Sequence, residues 1–265
     1  MLTIAGSDSG GAAGLQADLK TFAALGVYGM SVVTAVTAQS SQTVAGVQYL
    51  PADFVAAQME AVLADYGSVA IKTGFIGRIE IINQIAELLA IYKASGKQKV
   101  FVVVDPILVN HQGLAMFDPA VIVAYQTQLL PLADLVTPNL REAELLSDKK
   151  LTGLAMIEMA LPILHSFGSR WILVKGHRSG AEMVDLLYDG QEISLIRSPY
   201  FETENTHGSG DTLSAAICAY LAKGYKMVHA VEAAAKFTSS AISQARNWRL
   251  GSGHGPLNHW VEPDQ

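Results

Sequence analysis

The sequence predicts an α/β protein, a three-layer αβα sandwich around a mostly parallel central sheet with one late antiparallel hairpin. Three observations predict it. Short β-branched runs alternate with helical stretches along the chain. The runs are almost continuously apolar, as strands covered on both faces must be. Late in the chain, two strand-like runs flank Asp189-Gly190, a pair suited to a two-residue hairpin turn.

The elements follow in order. The first strand, 2–5, runs into a glycine-rich loop, Gly6-Ser7-Asp8-Ser9-Gly10-Gly11-Ala12-Ala13-Gly14, and then into a helix carrying Asp18. A strand at 31–38 ends beside Gln39. Val55, Met59, Val62, Leu63 and Tyr66 share one face of a helix. Strands at 69–72 and 100–105 follow, the second ending in Asp105-Pro106. A strand at 135–137 leads into Pro138-Asn139-Leu140-Arg141-Glu142, and one at 171–175 leads into Lys175-Gly176-His177. The hairpin runs occupy 183–188 and 192–197. Thr206-His207-Gly208-Ser209-Gly210-Asp211 then opens a helix whose apolar face carries Leu213, Ala216, Ile217, Tyr220 and Leu221. Such alternation implies right-handed crossovers and helices on both faces of the sheet.

Composition bounds the function. The chain has 265 residues, half of them apolar and 16% charged, which supports a large core and argues against disorder. No linker-like composition and no repeat divides it, so one domain, 1–265, is expected. The net charge is −6 and no basic stretch accumulates, so neither nucleic acid nor an anionic membrane is an expected partner. The longest apolar runs, such as KVFVVVD at 99–105, are too short to cross a bilayer. The N-terminal MLTIAGSDSGG lacks the basic and apolar regions of a signal peptide. A single cysteine, Cys218, permits no internal disulfide and fits a reducing compartment, so a cytoplasmic location is expected.

Ligands of parallel sheets bind at the carboxyl ends of the strands. Five segments that follow strands, 6–14, 105–106, 138–142, 175–177 and 206–211, are polar, charged or glycine-rich, and together they point to one site. At the last, Gly208, Ser209 and Gly210 precede a helix N-terminus, where unpaired N–H groups and a partial positive charge suit a phosphoryl group. Asp211 alone reads more readily as a helix cap. In the company of the other strand ends it reads as a base that takes a hydroxyl proton during phosphoryl transfer. Gln39 carries one donor and one acceptor, and by that inventory alone it is also an ordinary polar strand end. Asn139 and Glu142 fit a capping box, and as hard oxygen donors they also fit Mg²⁺; the two roles are compatible. Lys175 ends an apolar strand at the ligand edge, where phosphate contact is favoured over a surface role. His207 is assigned a structural part. No Walker A pattern, protein-kinase motif set, G-x-G-x-x-G fingerprint, C-x-x-C, H-E-x-x-H or G-x-S-x-G occurs.

The segments AGSDSGGAAGLQADLKTFAALGVYG, VTAQ, VVDPIL, VTPNLREAELL, VKGH, NTHGSGDTLSAAI and GSGHGPLNH occur in that order across almost the whole chain. Together they resemble the ribokinase-like superfamily, and within it the hydroxymethylpyrimidine and phosphomethylpyrimidine kinases of thiamine biosynthesis. The resemblance implies transfer of the ATP γ-phosphate to 4-amino-5-hydroxymethyl-2-methylpyrimidine and then to its monophosphate. It implies Asp211 as base, with Gly208, Ser209 and Gly210 as anion hole. It implies Gln39, Gly6, Asp18 and Ile107 as substrate contacts, and Lys175, Asn139 and Thr206 on the nucleotide side. Asp105 and Glu142 would serve Mg²⁺, usually through water. A homodimer is also implied, with 106–117 and the first loop as segments able to close over the site.

The chain departs from the family in two loops. Lys175-Gly176-His177 has one glycine fewer than the usual K-G-G-H, and Ser9-Gly10-Gly11-Ala12 replaces the usual Pro-Ser-Gly-Gly order. Pyridoxine, another N-heterocycle with a hydroxymethyl arm, defines the competing reading, a vitamin B6 kinase. Gln39 and the absence of cysteine from 106–116 favour the pyrimidine. A non-catalytic pyrimidine sensor is disfavoured by the retained base and glycine turn.

Overall fold

In the computed structural model, a nine-stranded sheet in the order β3-β2-β1-β4-β5-β6-β7-β8-β9 runs through the molecule. The structure describes residues 1–261 except 97 and 111. Within the 106–117 segment, residue 111 therefore lies outside the described residues.

The strands β1 (Leu2–Asp8), β2 (Met30–Gln39), β4 (Ala70–Thr73), β5 (Phe101–Val104), β6 (Leu135–Val136) and β7 (Ile172–Ser179) pair in parallel. The predicted hairpin is present as β8 (Glu182–Tyr188) and β9 (Ile193–Pro199), antiparallel to each other and to β7. At the opposite edge the chain adds an unforeseen antiparallel strand, β3 (Val44–Tyr49), paired with β2. Five of its six residues are exposed, so it carries little of the buried apolar signal that marks the other strands.

Helices α1 (Gly14–Ala24), α7 (Ser209–Ala222) and α8 (Met227–Ala245) cover one face of the sheet. Helices α2 (Ala52–Asp65), α3 (Ile79–Ala94), α4 (Pro119–Ala124), α5 (Leu140–Ser147) and α6 (Leu154–His165) cover the other. The central strands feed both layers. Ile71, Val102 and Val104 pack into the α2–α6 layer, while Ala70 and Val103 pack into the α1, α7 and α8 layer. Burial on both faces explains the unbroken apolar runs. The expected face of α2 ends early: Tyr66 is exposed and stacks on Tyr28.

The chain leaves β1 towards β2, then crosses back past β1 to β4 and continues the other way. This reversal opens a crevice beyond the carboxyl end of β1. The glycine-rich loop after β1 and the start of α7 meet there.

Candidate active site

The start of α7 is locked to the loop after β1. Gly208 caps α7 at φ 83°, and a Cβ on it would overlap the Ala12 carbonyl. Only glycine suits this left-handed position with backbone so close. The loop is wound around Asp8, whose Oδ1 accepts from Gly10 N–H (2.8 Å) and whose Oδ2 accepts from Ala12 and Ala13 N–H (3.0 and 2.9 Å). Gly14 N–H then donates to Asp211 Oδ2 at 3.1 Å. Ser209 and Gly210 begin the helix, whose first N–H groups lack intrahelical acceptors. Ser209 N–H finds the Thr206 carbonyl at 3.1 Å. The Thr206 residue itself is exposed.

Beneath this turn lies a buried charge cluster that sequence reasoning missed. Lys72, fully buried on β4, donates to Asp211 Oδ1 (2.8 Å) and to both carboxylate oxygens of Asp18 (2.9 Å each). Thr3 Oγ1 also donates to Asp18. Asp18, expected at the substrate pocket, is fully buried here, and its oxygens accept from Lys72 and Thr3. Burial opposes ionisation of Asp211. The Lys72 charge and hydrogen bond, the Gly14 N–H and Lys175 outweigh it and hold the carboxyl below its ordinary value. Burial dominates at Asp18 and pushes it up to about 7 against the pull of Lys72. Lys72 loses by burial and gains more from its two carboxylates, which fix its positive charge. A lysine ending an apolar strand buried on both faces was the available signal, because such a charge must be paired.

A second ionic group flanks the first. Lys175 Nζ donates to Asp105 Oδ1 at 2.8 Å, Thr137 Oγ1 donates to the same oxygen at 3.1 Å, and Ser214 Oγ donates to Oδ2 at 3.2 Å. A Cβ on Gly210 would lie 3.1 Å from Lys175 Nζ, so Lys175 underlies the helix start. Asn139 caps α5, accepting from Arg141 and Glu142 N–H (2.9 and 3.0 Å), and Glu142 completes the capping box by accepting from Asn139 N–H at 2.9 Å. The other Glu142 oxygen accepts from Leu108 N–H at 3.2 Å. Burial and the nearby Asp105 push Glu142 up to about 8 against Lys175 and these N–H groups. Asp105 and Glu142 keep acceptor capacity beyond these donors and could face a hydrated cation. Ile107, half-buried, follows Asp105 and bonds to its carbonyl at 2.9 Å.

Gln39 sits at the end of β2, half-buried. Its Nε2 lies 3.0 Å from His207 Nε2, and its Oε1 accepts from Thr37 Oγ1 at 3.2 Å. His207 thus links Gln39 to the residue that caps α7. Gly6 faces Phe75, whose ring lies between Tyr49 and Phe117 at 6.0 and 5.6 Å. This aromatic cluster beside Gly6 was also missed, because its members come from a strand edge and two loops with no shared period. The C-terminal GSGHGPLNH segment closes the assembly. Ser252 and Gly253 N–H reach Ser41 Oγ (3.2 Å each), Gly255 O accepts from His207 N–H (3.1 Å), and buried His259 pairs with Thr212 (2.9 Å). The short Lys175-Gly176-His177 loop survives as a bulge. The β7–β8 register shifts between Val174 and His177, Gly176 takes φ 95°, and its N–H donates to Asp185 at 2.8 Å.

Comparison with known proteins is consistent across nearly the whole chain. A family profile described as phosphomethylpyrimidine kinase matches residues 8–258. A hydroxymethylpyrimidine/phosphomethylpyrimidine kinase of Rhizobium meliloti is 46% identical, covering 98% of this chain and 96% of its own. The crystal structure of an ADP complex of Bacillus subtilis pyridoxal kinase superposes with a TM-score of 0.89 at 35% identity, covering 97% and 96% of the two chains. A phosphomethylpyrimidine kinase structure from Clostridium difficile superposes with a TM-score of 0.79 at 37% identity, covering 91% and 98%. No helix among the described residues is long and apolar enough to cross a membrane.

Proposed function

The chain belongs to the phosphomethylpyrimidine kinase family, and on that premise we propose that it phosphorylates 4-amino-5-hydroxymethyl-2-methylpyrimidine and then its monophosphate, with ATP as donor. The observation that carries this reading is the turn at Gly208, Ser209 and Gly210 set over Asp211, whose carboxylate accepts from Lys72 and the Gly14 N–H. Asp211 takes the hydroxyl proton as the substrate oxygen bonds to the γ-phosphorus. The bond from that phosphorus to the bridging oxygen breaks, and ADP leaves with the electron pair. A carboxylate held below its ordinary value is a weak base, which suffices because phosphoryl transfer has a loose transition state. The glycine turn and the helix N-terminus hold the phosphoryl oxygens, and Lys175 adds a positive charge beneath them. Gln39 reads the aminopyrimidine edge, and Ile107 and the Phe75 cluster wall the ring.

Asp105, Glu142 and Asn139 would hold a nucleotide-borne Mg²⁺ through its waters, and the ion would supply charge neutralisation at the phosphates. A homodimer belongs to the same proposal, with the exposed edge strand β3 as the open end of the sheet, and so does a cytoplasmic location. Vitamin B6 phosphorylation is the second reading, favoured by the close superposition on a pyridoxal kinase.

The reading is tested by Asp211→Asn. Turnover should fall by about 10²–10⁴-fold, the usual weight of acid–base assistance, while ATP binding by calorimetry persists. Near-normal turnover would remove Asp211 as base.

A further inference from the structure

Three groups from three elements meet in the cluster under the active-site turn: Asp18 from α1, Lys72 from β4 and Asp211 from α7. One lysine serves two carboxylates, all three groups are buried, and every lysine contact is 2.9 Å or shorter. Lys72 and Asp18 touch no substrate in the reaction above, and two buried charges without a task are costly to keep. A structural pair would be complete as Lys72 with Asp18. The lysine instead reaches past its first partner to the carboxylate assigned as base.

Resting on that assignment, we propose that Lys72 and Asp18 are positioning residues that set the strength of the base: Lys72 orients the Asp211 carboxylate and keeps it ionised, and Asp18 offsets the lysine charge so that Asp211 can still accept a proton. With Asp18 ionised, the cluster carries one net negative charge. When the substrate O–H bond breaks and its proton moves to Asp211, a neutral Lys72–Asp18 pair remains. With Asp18 neutral, the lysine charge falls on Asp211 alone, and the same transfer leaves an uncompensated buried cation. Proton transfer to Asp211 is therefore easier when Asp18 is ionised.

The neighbours of the cluster are few. Asp211 shares α7 with Cys218. Asp105 from the end of β5, Lys175 from β7 and His259 from the C-terminal segment act on it at longer range. From β1, Thr3 supplies only a hydroxyl. Burial places Asp18 near neutrality, up to about 7, so its ionisation falls within the working range of an assay.

The test compares pH profiles of kcat, with KM for both substrates, in the full-length wild type, Asp18→Asn, Lys72→Met, the double variant and Asp211→Asn. Wild-type kcat should rise through an ionisation near neutral pH. Asp18→Asn should lack that rise and run roughly 10–100-fold slower above it, within the usual range of acid–base effects, with KM for both substrates little changed. Lys72→Met leaves two carboxylates sharing one proton, so its rise should move to higher pH. The double variant should regain activity over Lys72→Met, because the competing carboxylate is gone; damage to the fold would instead make it worse. Circular dichroism and calorimetric ATP binding identify any misfolded variant, and the pH profile of near-isosteric Asp18→Asn still decides if Lys72→Met does not fold. A wild-type profile reproduced in Asp18→Asn, or a double variant slower than Lys72→Met, would overturn the inference. If Asp211→Asn is inactive while the other variants behave as wild type, only this inference fails. If Asp211→Asn stays active, the base assignment itself fails.

Discussion

Gln39 and Asp211 drew attention in the sequence because each stands at a strand or helix end among other polar strand ends; either one alone also reads as an ordinary polar end or a cap. The pairing of Lys72 with Asp18 was not legible, because it is a contact across 54 positions of sequence. Asp18 was expected at the pocket through the GLQADLK match, and its contact with Lys72 appears only in the structure. His207, expected to be structural, lies between the cap of α7 and Gln39 and contacts its amide. Gln39→Leu removes the amide proposed to read the pyrimidine edge. The expected outcome is a KM for the pyrimidine raised about threefold to tenfold, the weight of one hydrogen bond, with KM for ATP nearly constant. Equal loss for both substrates in steady-state kinetics would contradict a base-edge contact.

The parallel strands were legible as elements because burial on both faces leaves unbroken apolar runs, and the late hairpin because Asp189-Gly190 marks its turn. β3 was not legible, since an exposed edge strand has neither signal. The glycine turn of α7 was read as an anion site. Its second reason for glycine, the Ala12 carbonyl against Gly208, needed the loop after β1 in place. Gly208→Ala should therefore cost about 1–3 kcal/mol for a non-glycine residue at positive φ. It should also displace the loop that feeds Gly14 N–H to Asp211. Urea denaturation reads the first effect and turnover the second; unchanged values for both would contradict the close approach.

At the scale of the whole molecule, the two helical layers bring distant segments to one sheet edge, and the C-terminal segment fastens them. His259 is the buried pin of that fastening, and its pH response follows from its surroundings. Burial, then Lys20, lowers it from 6.5 to about 4. The unfolded chain therefore binds the proton between those values while the folded chain does not. This contribution to stability is complete above about pH 6.5 and is lost as pH falls towards 4. Between pH 7.5 and 5 the loss should reach roughly 2 kcal/mol at 1.36 kcal/mol per pH unit. Replacing His259 with Asn should flatten that part of the urea-midpoint profile; an equally steep profile would exclude His259 as its source. What the assembled site accepts is read by a coupled ADP-release assay with Mg-ATP, offering hydroxymethylpyrimidine, its monophosphate and pyridoxine side by side. Turnover is expected on the first two, with little on pyridoxine. Comparable or faster turnover on pyridoxine would overturn the pyrimidine reading and move the chain to the vitamin B6 branch.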